Sequence, residues 1–567
     1  MTWIAAHLAP LMFAGLVLLL LTGVPVVFAL MACGLGFALA GIALDVMPPA
    51  LLGALPLRVF GIVSSELLLA IPFFTFMGLV LQRSGIAEDL LETVGQVFGP
   101  VRGGLALAVV AVGALLGATT GVVAAAVVSM GLISLPVMLR NGYNPRIACG
   151  VIASSGTLAL VVPPSLVLIV VAEQLGTSVG DMYAAALVPA ALLTGLYALL
   201  VAVLAVWHPE WLPALPAQRR TLLQADGSAG YPSLLVLAMA SALAGAVLVG
   251  GYPALLRATG REFAPPADEV FMVGFGGAVL SAFVLSLMDA GLRLHWLSPM
   301  ARRVAFVLLP PLMLIFLVLG TVYLGIATPS ESGALGAVGA VLLAVVRRRF
   351  TRRDAVQSLL QTSNLSCTVM FILIGATFFS HTFQALDGRM WVEQLFAELP
   401  GGATGFLIVV TALIFVLGLF LDFFEIAFVL LPLLAPVAQQ LDIDLVWFGI
   451  LVGVNLQASF MTPPFGFSLL FLRGAAPRSG TIDPHSGKSV PGISTNDIYL
   501  GVLPFVAVQV LVLGLLIAWP SLVLREASVA PLDAAAVERA LERAAPPPAE
   551  QPTDPVRMLM ENLRGPR

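Results

Sequence analysis

Two proline pairs, Pro163-Pro164 and Pro463-Pro464, lie 300 residues apart, and each sits inside a long apolar segment. The same offset relates Pro100 to Pro400, so the second half of the chain reads as a diverged copy of the first. Proline removes a backbone donor and obstructs the carbonyl one turn earlier, so each pair predicts a helix that breaks within the apolar segment. Two halves that each carry such a break are typical of secondary transporters, whose freed backbone groups bind an ion or a substrate.

Composition indicates an integral membrane protein. Apolar residues make up 59% of the chain and charged residues 10%, and the mean hydropathy is +1.03. A spanning helix needs about 20 apolar residues. Roughly twelve such segments are predicted, at 6–22, 24–44, 66–83, 146–174, 182–207, 232–250, 268–288, 304–325, 329–346, 365–381, 446–472 and 498–524.

Several protein classes are disfavoured by residue usage. Cys33, Cys149 and Cys367 are far apart, which implies no disulfide framework. The five histidines are scattered mostly at the ends of predicted spans, which argues against paired haem ligands in the bilayer. No basic patch suggests binding to nucleic acid.

The distribution of arginine and lysine predicts the orientation. We place the N-terminus outside and treat 101–140 and 401–440 as re-entrant hairpins, each entering and leaving on one side. Seventeen basic residues then fall in inner loops, and only four fall in outer loops: Arg58, Arg257, Arg261 and Arg389. This is a strong positive-inside bias.

Each repeat contains five crossings, and an odd number predicts an inverted second copy. We predict a first repeat at 1–208, an inserted pair of transmembrane helices at 209–303 and a second repeat at 304–525. Residues 526–567 are rich in Ala, Pro, Glu and Arg, which predicts a polar, disordered tail.

The hairpin tips are predicted where regular helix fails. Gly117-Ala-Thr119-Thr120-Gly121 separates two apolar runs in the first half, and Gly418-Leu-Phe-Leu-Asp422 is its counterpart in the second. Non-helical backbone at membrane depth survives only where protein or a water-filled cavity buries it, so such tips tend to line a site. The alternative is a kink in an ordinary helical pair.

Polar residues flank both proline pairs, and their oxygens are hard ligands of the kind a small cation needs. They are Ser154, Ser155, Gly156, Thr157 and Ser165 in the first half and Asn455, Gln457, Ser459 and Thr462 in the second. Thiolate and imidazole are absent from both stretches, which argues against a transition metal. Sodium is therefore the natural coupling ion, although proline kinks also occur for packing alone.

Two acids in an apolar stretch, Asp422 and Glu425, are hypotheses for function because a charge at membrane depth is costly. They could complete a cation site or carry protons. The alternative is that Asp422 caps the second hairpin helix, with Glu425 favourably placed in its first turn. Glu331 fits a capping box with Thr328, and here we favour the structural interpretation.

Six stretches together resemble the large membrane subunit, the DctM-like M-type permease, of tripartite ATP-independent periplasmic (TRAP) transporters. They are AIPFFTFMGLVLQRSGIAEDL, GALLGATTGVVAAAVVSMGLISLPVMLRNGYNP, SSGTLALVVPPSLVLIV, IATPSESGALGAVGA, GLFLDFFEIAFVLLPLLAPVAQQLDID and NLQASFMTPPFGFSLLFL. The added helices at 232–288 and the ATTGVV stretch resemble the branch associated with mannitol and chloroaromatic compounds.

The resemblance implies an all-α polytopic membrane protein of two inverted repeats, with a scaffold around an elevator-type transport domain. It implies sodium-coupled import of an organic acid rather than an enzyme, with Na+ as coupling ion and no organic cofactor. The implied partners are a soluble periplasmic binding protein and a small four-helix membrane subunit. The implied location is a bacterial inner membrane, with the N-terminus in the periplasm.

Candidate ligands follow from the resemblance. Sodium would lie near Thr119, Thr120, Ser155, Gly156, Thr157, Asp422, Glu425, Asn455, Gln457 and Thr462. Substrate would lie between the hairpin tips, near Thr119, Thr120, Ser154, Ser165, Phe423 and Ser459. The chain departs from many relatives at Val122 and Val123, where small hydroxyl residues are common, and at Phe423 and Phe424, where Pro-Thr is common.

Two other classes stay open on the residues alone. A cation channel or passive pore would need a polar stripe along several helices, whereas the polar residues here concentrate at two mid-depth breaks. A membrane-embedded enzyme would need an acid, base or metal cluster near one face, for which Asp422 and Glu425 give thin support.

Overall fold

The computed structural model describes residues 2–222, 230–258, 265, 267–397, 399–477, 481–482, 489–490 and 492–524. The predicted tail at 526–567 lies outside the described residues. So do Arg261, Arg478 and Lys488, three of the basic residues that entered the orientation count.

The described chain is almost entirely helical. The first repeat and its flanks contain α1 (Thr2–Ala6), α2 (Leu8–Leu21), α3 (Val26–Ala43), α4 (Leu55–Val63), α5 (Ala70–Arg83), α6 (Ile86–Val97), α7 (Gly104–Thr120), α8 (Val123–Arg140), α9 (Pro145–Thr157), α10 (Leu166–Leu175) and α11 (Val179–Trp207). The inserted pair is α12 (Tyr231–Ala258) and α13 (Ala267–Leu292).

The second half continues in the same way. It contains α14 (Pro299–Tyr323), α15 (Pro329–Val346), α16 (Arg352–Ala385), α17 (Gly388–Ala397), α18 (Gly402–Leu417), α19 (Phe423–Val429), α20 (Leu431–Gln440), α21 (Leu445–Phe460), α22 (Phe467–Ala475) and α23 (Thr495–Ala518). Over both halves, the described residues also include five 3₁₀ helices, at Pro49–Ala54, Glu66–Leu69, Leu158–Leu160, Ala217–Arg219 and Pro520–Leu522. Two short antiparallel strands, β1 (Thr481–Ile482) and β2 (Ser489–Val490), pair with each other.

Within the described residues, nine helices are long and apolar enough to cross a membrane, or up to eleven if each bent pair is one span. The sequence predicted roughly twelve spans. The count differs because 6–22 contains only the 14-residue α2, and the segments at 146–174 and 446–472 each break into two shorter helices. Helix α8 of the predicted first hairpin is counted among the nine. The span predicted at 365–381 is only part of the 34-residue α16, whose polar first turns lower hydropathy without breaking the helix.

Local sequence sets where helices begin. Thr328 Oγ1 accepts from the backbone N–H of Glu331 at 3.3 Å, and Glu331 Oε2 accepts from the backbone N–H of Thr328 at 2.8 Å. This capping box satisfies donors that the first turn of α15 would otherwise leave free. The structural interpretation of Glu331 is therefore confirmed.

Packing follows the 300-residue offset. Helix α3 packs against α16, and α15, which matches α3 at this offset, packs against α5, which matches part of α16. The halves also meet between α9 and α23, where a Cβ on Gly150 would collide with the carbonyl oxygen of Gly501. Glycine at this crossing lets the two backbones touch, so the repeats form one core.

The inserted helices α12 and α13 pack against each other and against α14. The Ser233 hydroxyl donates to Ser298 Oγ at 2.7 Å, which ties the start of α12 to the N-cap of α14. Much of α12 faces outward, with Leu235, Val236 and Leu243 all more than 60% exposed, as expected for a surface in contact with lipid or another membrane subunit. The division of the chain at 208, 303 and 525 stays a prediction.

Candidate functional site

The first hairpin consists of α7 and α8, and the structure confirms that regular helix ends at its predicted tip. Gly121 adopts a left-handed conformation (φ 58°) and its N–H bonds the carbonyl of Gly117. Val122 then runs extended into α8. The Thr119 hydroxyl is buried and donates to the Leu116 carbonyl at 2.9 Å. The side chain of Thr120 lies outside the described residues.

This hairpin is pressed against the first broken helix. A Cβ on Gly113 would lie 2.5 Å from Ser155 Cβ and 3.0 Å from the Ser155 carbonyl oxygen. The broken helix also touches the other arm, α8, because a Cβ on Gly156 would collide with the Val127 side chain and lie 3.2 Å from the Val127 backbone. Small residues on both sides bring Ser155 and Gly156 directly between the hairpin arms.

The first broken helix is α9, a 3₁₀ turn at 158–160, and α10. The cis bond between Pro163 and Pro164 lies in the irregular stretch between them. Ser165 bridges the break, because its hydroxyl lies 3.0 Å from the carbonyl oxygens of both Ala159 and Leu160. The predicted break is confirmed at the proline pair.

Two other hydroxyls of this helix are bonded within it. Ser154 Oγ donates to the Val151 carbonyl at 3.1 Å, and Thr157 Oγ1 donates to the Ser154 carbonyl at 2.9 Å. Both side chains are fully buried. Their predicted roles toward substrate and sodium stay predictions.

The second hairpin consists of α18, followed by α19 and α20. Asp422 Oδ1 accepts from the Phe424 N–H at 3.2 Å, and Glu425 Oε2 accepts from the Asp422 N–H at 2.9 Å. The predicted capping role of this pair is therefore confirmed. Each carboxylate has a second oxygen, so capping does not use all of their ligand capacity. Phe423 is buried against Phe424, with ring centroids 5.0 Å apart.

The second broken helix is α21 followed by α22, again with a cis proline pair at the break. Ser459 Oγ donates to the Leu456 carbonyl at 2.9 Å, and Thr462 Oγ1 donates to the Ala458 carbonyl at 2.8 Å. A Cβ on Gly418 would collide with Ser459, so the second tip packs on its own broken helix as the first does.

The two broken helices meet through side chains. Gln457 Nε2 donates to Thr157 Oγ1 at 3.4 Å, a bond between residues 300 positions apart. Two residues earlier, Asn455 Nδ2 donates to the Thr411 carbonyl of α18 at 2.8 Å. Gln457 and Thr157 therefore meet between the two broken helices, whereas Asn455 bonds the second hairpin.

Three buried oxygens on the two broken helices are unsatisfied. Within the described part of the chain, Ser155 Oγ, Asn455 Oδ1 and Gln457 Oε1 have no hydrogen-bond partner. A buried polar group without a partner costs free energy, so such oxygens call for a donor or a cation. The described residues contain no group of three His, Cys, Asp or Glu side chains that could hold a metal. Neutral oxygen ligands suit an alkali cation better than a transition metal.

Two cavities lie between the hairpins and helices α4, α5 and α16. The hairpin-2 cavity, about 350 Å³, is lined by side chains that include Arg58, Ser65, Glu173, Thr377, Ser380 and Phe428. The hairpin-1 cavity, about 300 Å³, is lined by side chains that include Thr75, Gln82, Val122, Val128, Gln361 and Leu365. Ser65 and Leu365, like Val128 and Phe428, are equivalent at the 300-residue offset.

Sequence reasoning missed Arg58, Glu173 and Thr377. They lie on three separate segments, and Ser65 Oγ donates to Glu173 Oε1 at 3.4 Å across this cavity. The offset of 300 relates positions 61 and 65 of one cavity to 361 and 365 of the other, but it does not point to these three residues.

The fold and site together define a polytopic, all-helical membrane protein with two hairpins packed on two broken helices, an arrangement that transporter folds use. Residues 13–522 match the family described as tripartite ATP-independent periplasmic transporter, DctM component. The chain belongs to this family, as the resemblance of its motifs predicted.

Two relatives are large permease proteins of C4-dicarboxylate TRAP transporters named DctM. The protein from Pseudomonas aeruginosa is 28% identical, over 73% of this chain and 79% of the relative. The protein from Rhodobacter capsulatus is 29% identical, over 82% and 90%. A structural comparison with the YdaH transporter of Alcanivorax borkumensis gives a TM-score of 0.47 and 14% identity, covering 82% of this chain and 87% of that one.

Proposed function

We propose that this chain imports an organic acid by sodium-coupled secondary transport, as the permease subunit of a TRAP system in a bacterial inner membrane. A periplasmic binding protein delivers the substrate, and a small four-helix membrane subunit completes the membrane complex. The two repeats are inverted relative to each other, with the N-terminus in the periplasm. Family membership and the substrate class named for the relatives support this proposal.

The observation that carries the proposal is the set of unsatisfied buried oxygens on the two broken helices. Ser155 Oγ belongs to the first repeat, and Asn455 Oδ1 and Gln457 Oε1 belong to the second. A passive pore has no need to desolvate polar groups without satisfying them. A bound cation would compensate such groups, and ligands from both halves would couple its binding to both halves.

Sodium fits these residues by donor chemistry. Ser155, Asn455 and Gln457 would supply neutral oxygens, and Asp422, at the N-cap of the second tip helix, would supply a carboxylate. Movement of this sodium down its gradient would supply the free energy for import. The residues hold the ion, exclude water from it and transmit its presence through the bond between Gln457 and Thr157.

The two cavities suggest the route of the substrate. Arg58 of the hairpin-2 cavity falls in a predicted outer loop, and its guanidinium is suited to pairing with a carboxylate. The hairpin-1 cavity is lined by neutral residues, including Gln82 and Gln361. An elevator motion of the hairpins past α4, α5 and α16 would transfer substrate from the outer cavity to the inner one.

Uptake in proteoliposomes tests the function. The permease is reconstituted with its small subunit, and uptake of a radiolabelled C4-dicarboxylate is measured with and without the binding protein. The proposal predicts saturable uptake that requires the binding protein. Non-saturable flux that ignores it would instead favour the passive pore.

Cysteine labelling tests the two cavities separately. The exposed Cys367 is replaced by serine, and Thr377→Cys or Gln361→Cys is then introduced, since Cys33 and Cys149 are buried. An impermeant maleimide outside right-side-out vesicles is expected to label Thr377→Cys and not Gln361→Cys, with the reverse in inverted vesicles. Labelling of both sites from one side would contradict the assignment of the cavities.

A further inference from the structure

A basic cavity of about 630 Å³ lies away from the hairpins, where α6, α14, the end of α15 and the loop before α14 converge. Its charged and titratable lining consists of Asp89, His295, Arg302, Arg303, Arg347 and Arg349. Four arginines around one carboxylate is an unusual concentration of one sign of charge between membrane helices.

The carboxylate in the cavity is already shared. Arg347 Nη1 donates to Asp89 Oδ2 at 2.7 Å, and Arg349 Nη1 donates to Asp89 Oδ1 at 3.2 Å. One acid therefore balances two guanidinium groups. Arg349 remains 59% exposed and has further N–H donors beyond the one used in this pair.

The other two arginines pair with acids outside the lining. Arg302 Nη2 donates to Asp289 Oδ2 at 2.8 Å, and Arg303 Nη2 donates to Glu92 Oε2 at 2.9 Å. Four arginines against three acids leaves one net positive charge. In the described residues, Arg302 Nε is buried and has no hydrogen-bond partner. A guanidinium donor in that state calls for an acceptor.

The surroundings suit an amphipathic ligand. Phe306, Val307 and Leu297 form an apolar part of the lining. Trp296, next to His295, is 73% exposed, as is common for tryptophan at the membrane interface. The arginine count places this end of α14 on the predicted inner side, and basic pockets between helices on that side bind anionic headgroups.

We propose that this cavity binds a phosphate-bearing anion, either the headgroup of an anionic phospholipid or a free phosphate. The forked guanidinium groups match phosphate oxygens, and the unpartnered Nε of Arg302 supplies one further donor. Because α6 lies in the first half and α14 and α15 lie in the second, a bound anion joins the two halves and stabilises the folded protein.

The test uses the full-length protein, purified and stripped of lipid. Its melting temperature is measured with added phosphatidylglycerol, phosphatidylcholine or inorganic phosphate, and retained lipid is counted by native mass spectrometry. The informative variant is Arg303→Gln with Arg349→Gln, which leaves the pairs Arg302–Asp289 and Arg347–Asp89 intact. The matched control is Arg352→Gln with Arg353→Gln, two arginines on the same predicted side but outside the cavity.

The proposal predicts that phosphatidylglycerol binds and stabilises the wild type and the control, and that its affinity falls about tenfold or more in the cavity variant. Competition by inorganic phosphate identifies the phosphate group itself as the ligand, and its absence identifies the whole lipid. Equal binding of both lipids, or equal affinity of the cavity variant and the control, would overturn the proposal.

Discussion

Gln457 donates a hydrogen bond to Thr157, and the two residues occupy equivalent positions of the two repeats, 300 residues apart. Each lies a few residues before a cis proline pair. The bond therefore joins the halves at the point where both helices break. Gln457 Oε1 is left without a partner among the described residues, so the same side chain links the repeats and keeps an oxygen available for a ligand.

Gln457→Ala removes both the bond to Thr157 and the unpartnered oxygen. We expect the sodium concentration for half-maximal uptake to rise about tenfold or more, because a ligand and the link between repeats are lost together. The hydrogen bond alone contributes about 0.5–1.5 kcal/mol to stability, so the variant should still fold. Sodium titration of uptake in proteoliposomes measures the effect.

Ser468→Ala is the matched control, because the Ser468 hydroxyl is equally buried and donates only to the Phe460 carbonyl at 2.8 Å. It should leave the sodium titration unchanged. A shift of the same size in both variants would mean that general packing damage, and not a ligand, was measured.

Asp422→Asn separates the cap from the charge. Asparagine is as good an N-cap as aspartate, so α19 should keep its start while the negative charge is lost. We expect weaker sodium activation with a nearly unchanged melting temperature, measured in vesicles and by thermal unfolding. Asp422→Ala should also lose about 1 kcal/mol of stability. Unchanged sodium activation in Asp422→Asn would refute a role for the charge.

Arg58→Gln tests the hairpin-2 cavity. We expect the KM for a carboxylate substrate to rise several-fold with little change in maximal uptake. The variant would lack the guanidinium that pairs with the substrate in the outer cavity, but the hairpins that move the substrate would be unchanged. Arg389→Gln is the control, since Arg389 is also in a predicted outer loop but pairs with Glu393 at 2.7 Å and lies outside both cavities. Equal kinetic changes in both variants would point to general surface charge.

Gly113→Ala tests the contact between the first hairpin and its broken helix. The new methyl would press on Ser155, whose backbone must shift, and such overpacking costs about 1–3 kcal/mol. Thermal unfolding measures the loss. Gly195→Ala in α11 meets open space and should instead be neutral or stabilising by up to about 1 kcal/mol. A stable Gly113→Ala would show that the contact tolerates movement.

The sequence was most informative where local chemistry decides the structure. The proline pairs predicted both breaks, Gly121 the first tip, and the Thr328 and Glu331 pair a capping box, and all are confirmed. For Asp422 and Glu425 it offered capping as one of two interpretations, and the capping geometry is present. Each of these features depends on residues only a few positions apart.

The sequence did not predict which distant residues meet in the folded protein. Arg302 and Arg347 line one cavity with Asp89, but nothing in the local sequence of any of the three indicates the others. Helix length also escaped prediction at α16, where polar residues 352–364 lower hydropathy while tolerating helix, so only 365–381 appeared as a span. Tertiary packing decides the cavity and leaves no local pattern, whereas α16 begins at a capping box of Thr351 and Asp354 that the sequence does contain.

The most direct test of sodium coupling is accumulation of substrate against its own gradient. Proteoliposomes containing the permease and its small subunit receive the binding protein and a radiolabelled C4-dicarboxylate outside, under an inward sodium gradient or an equal potassium gradient. The account predicts internal substrate above the external concentration with sodium only, and a smaller accumulation for Gln457→Ala. Equal internal and external concentrations under both gradients would contradict it.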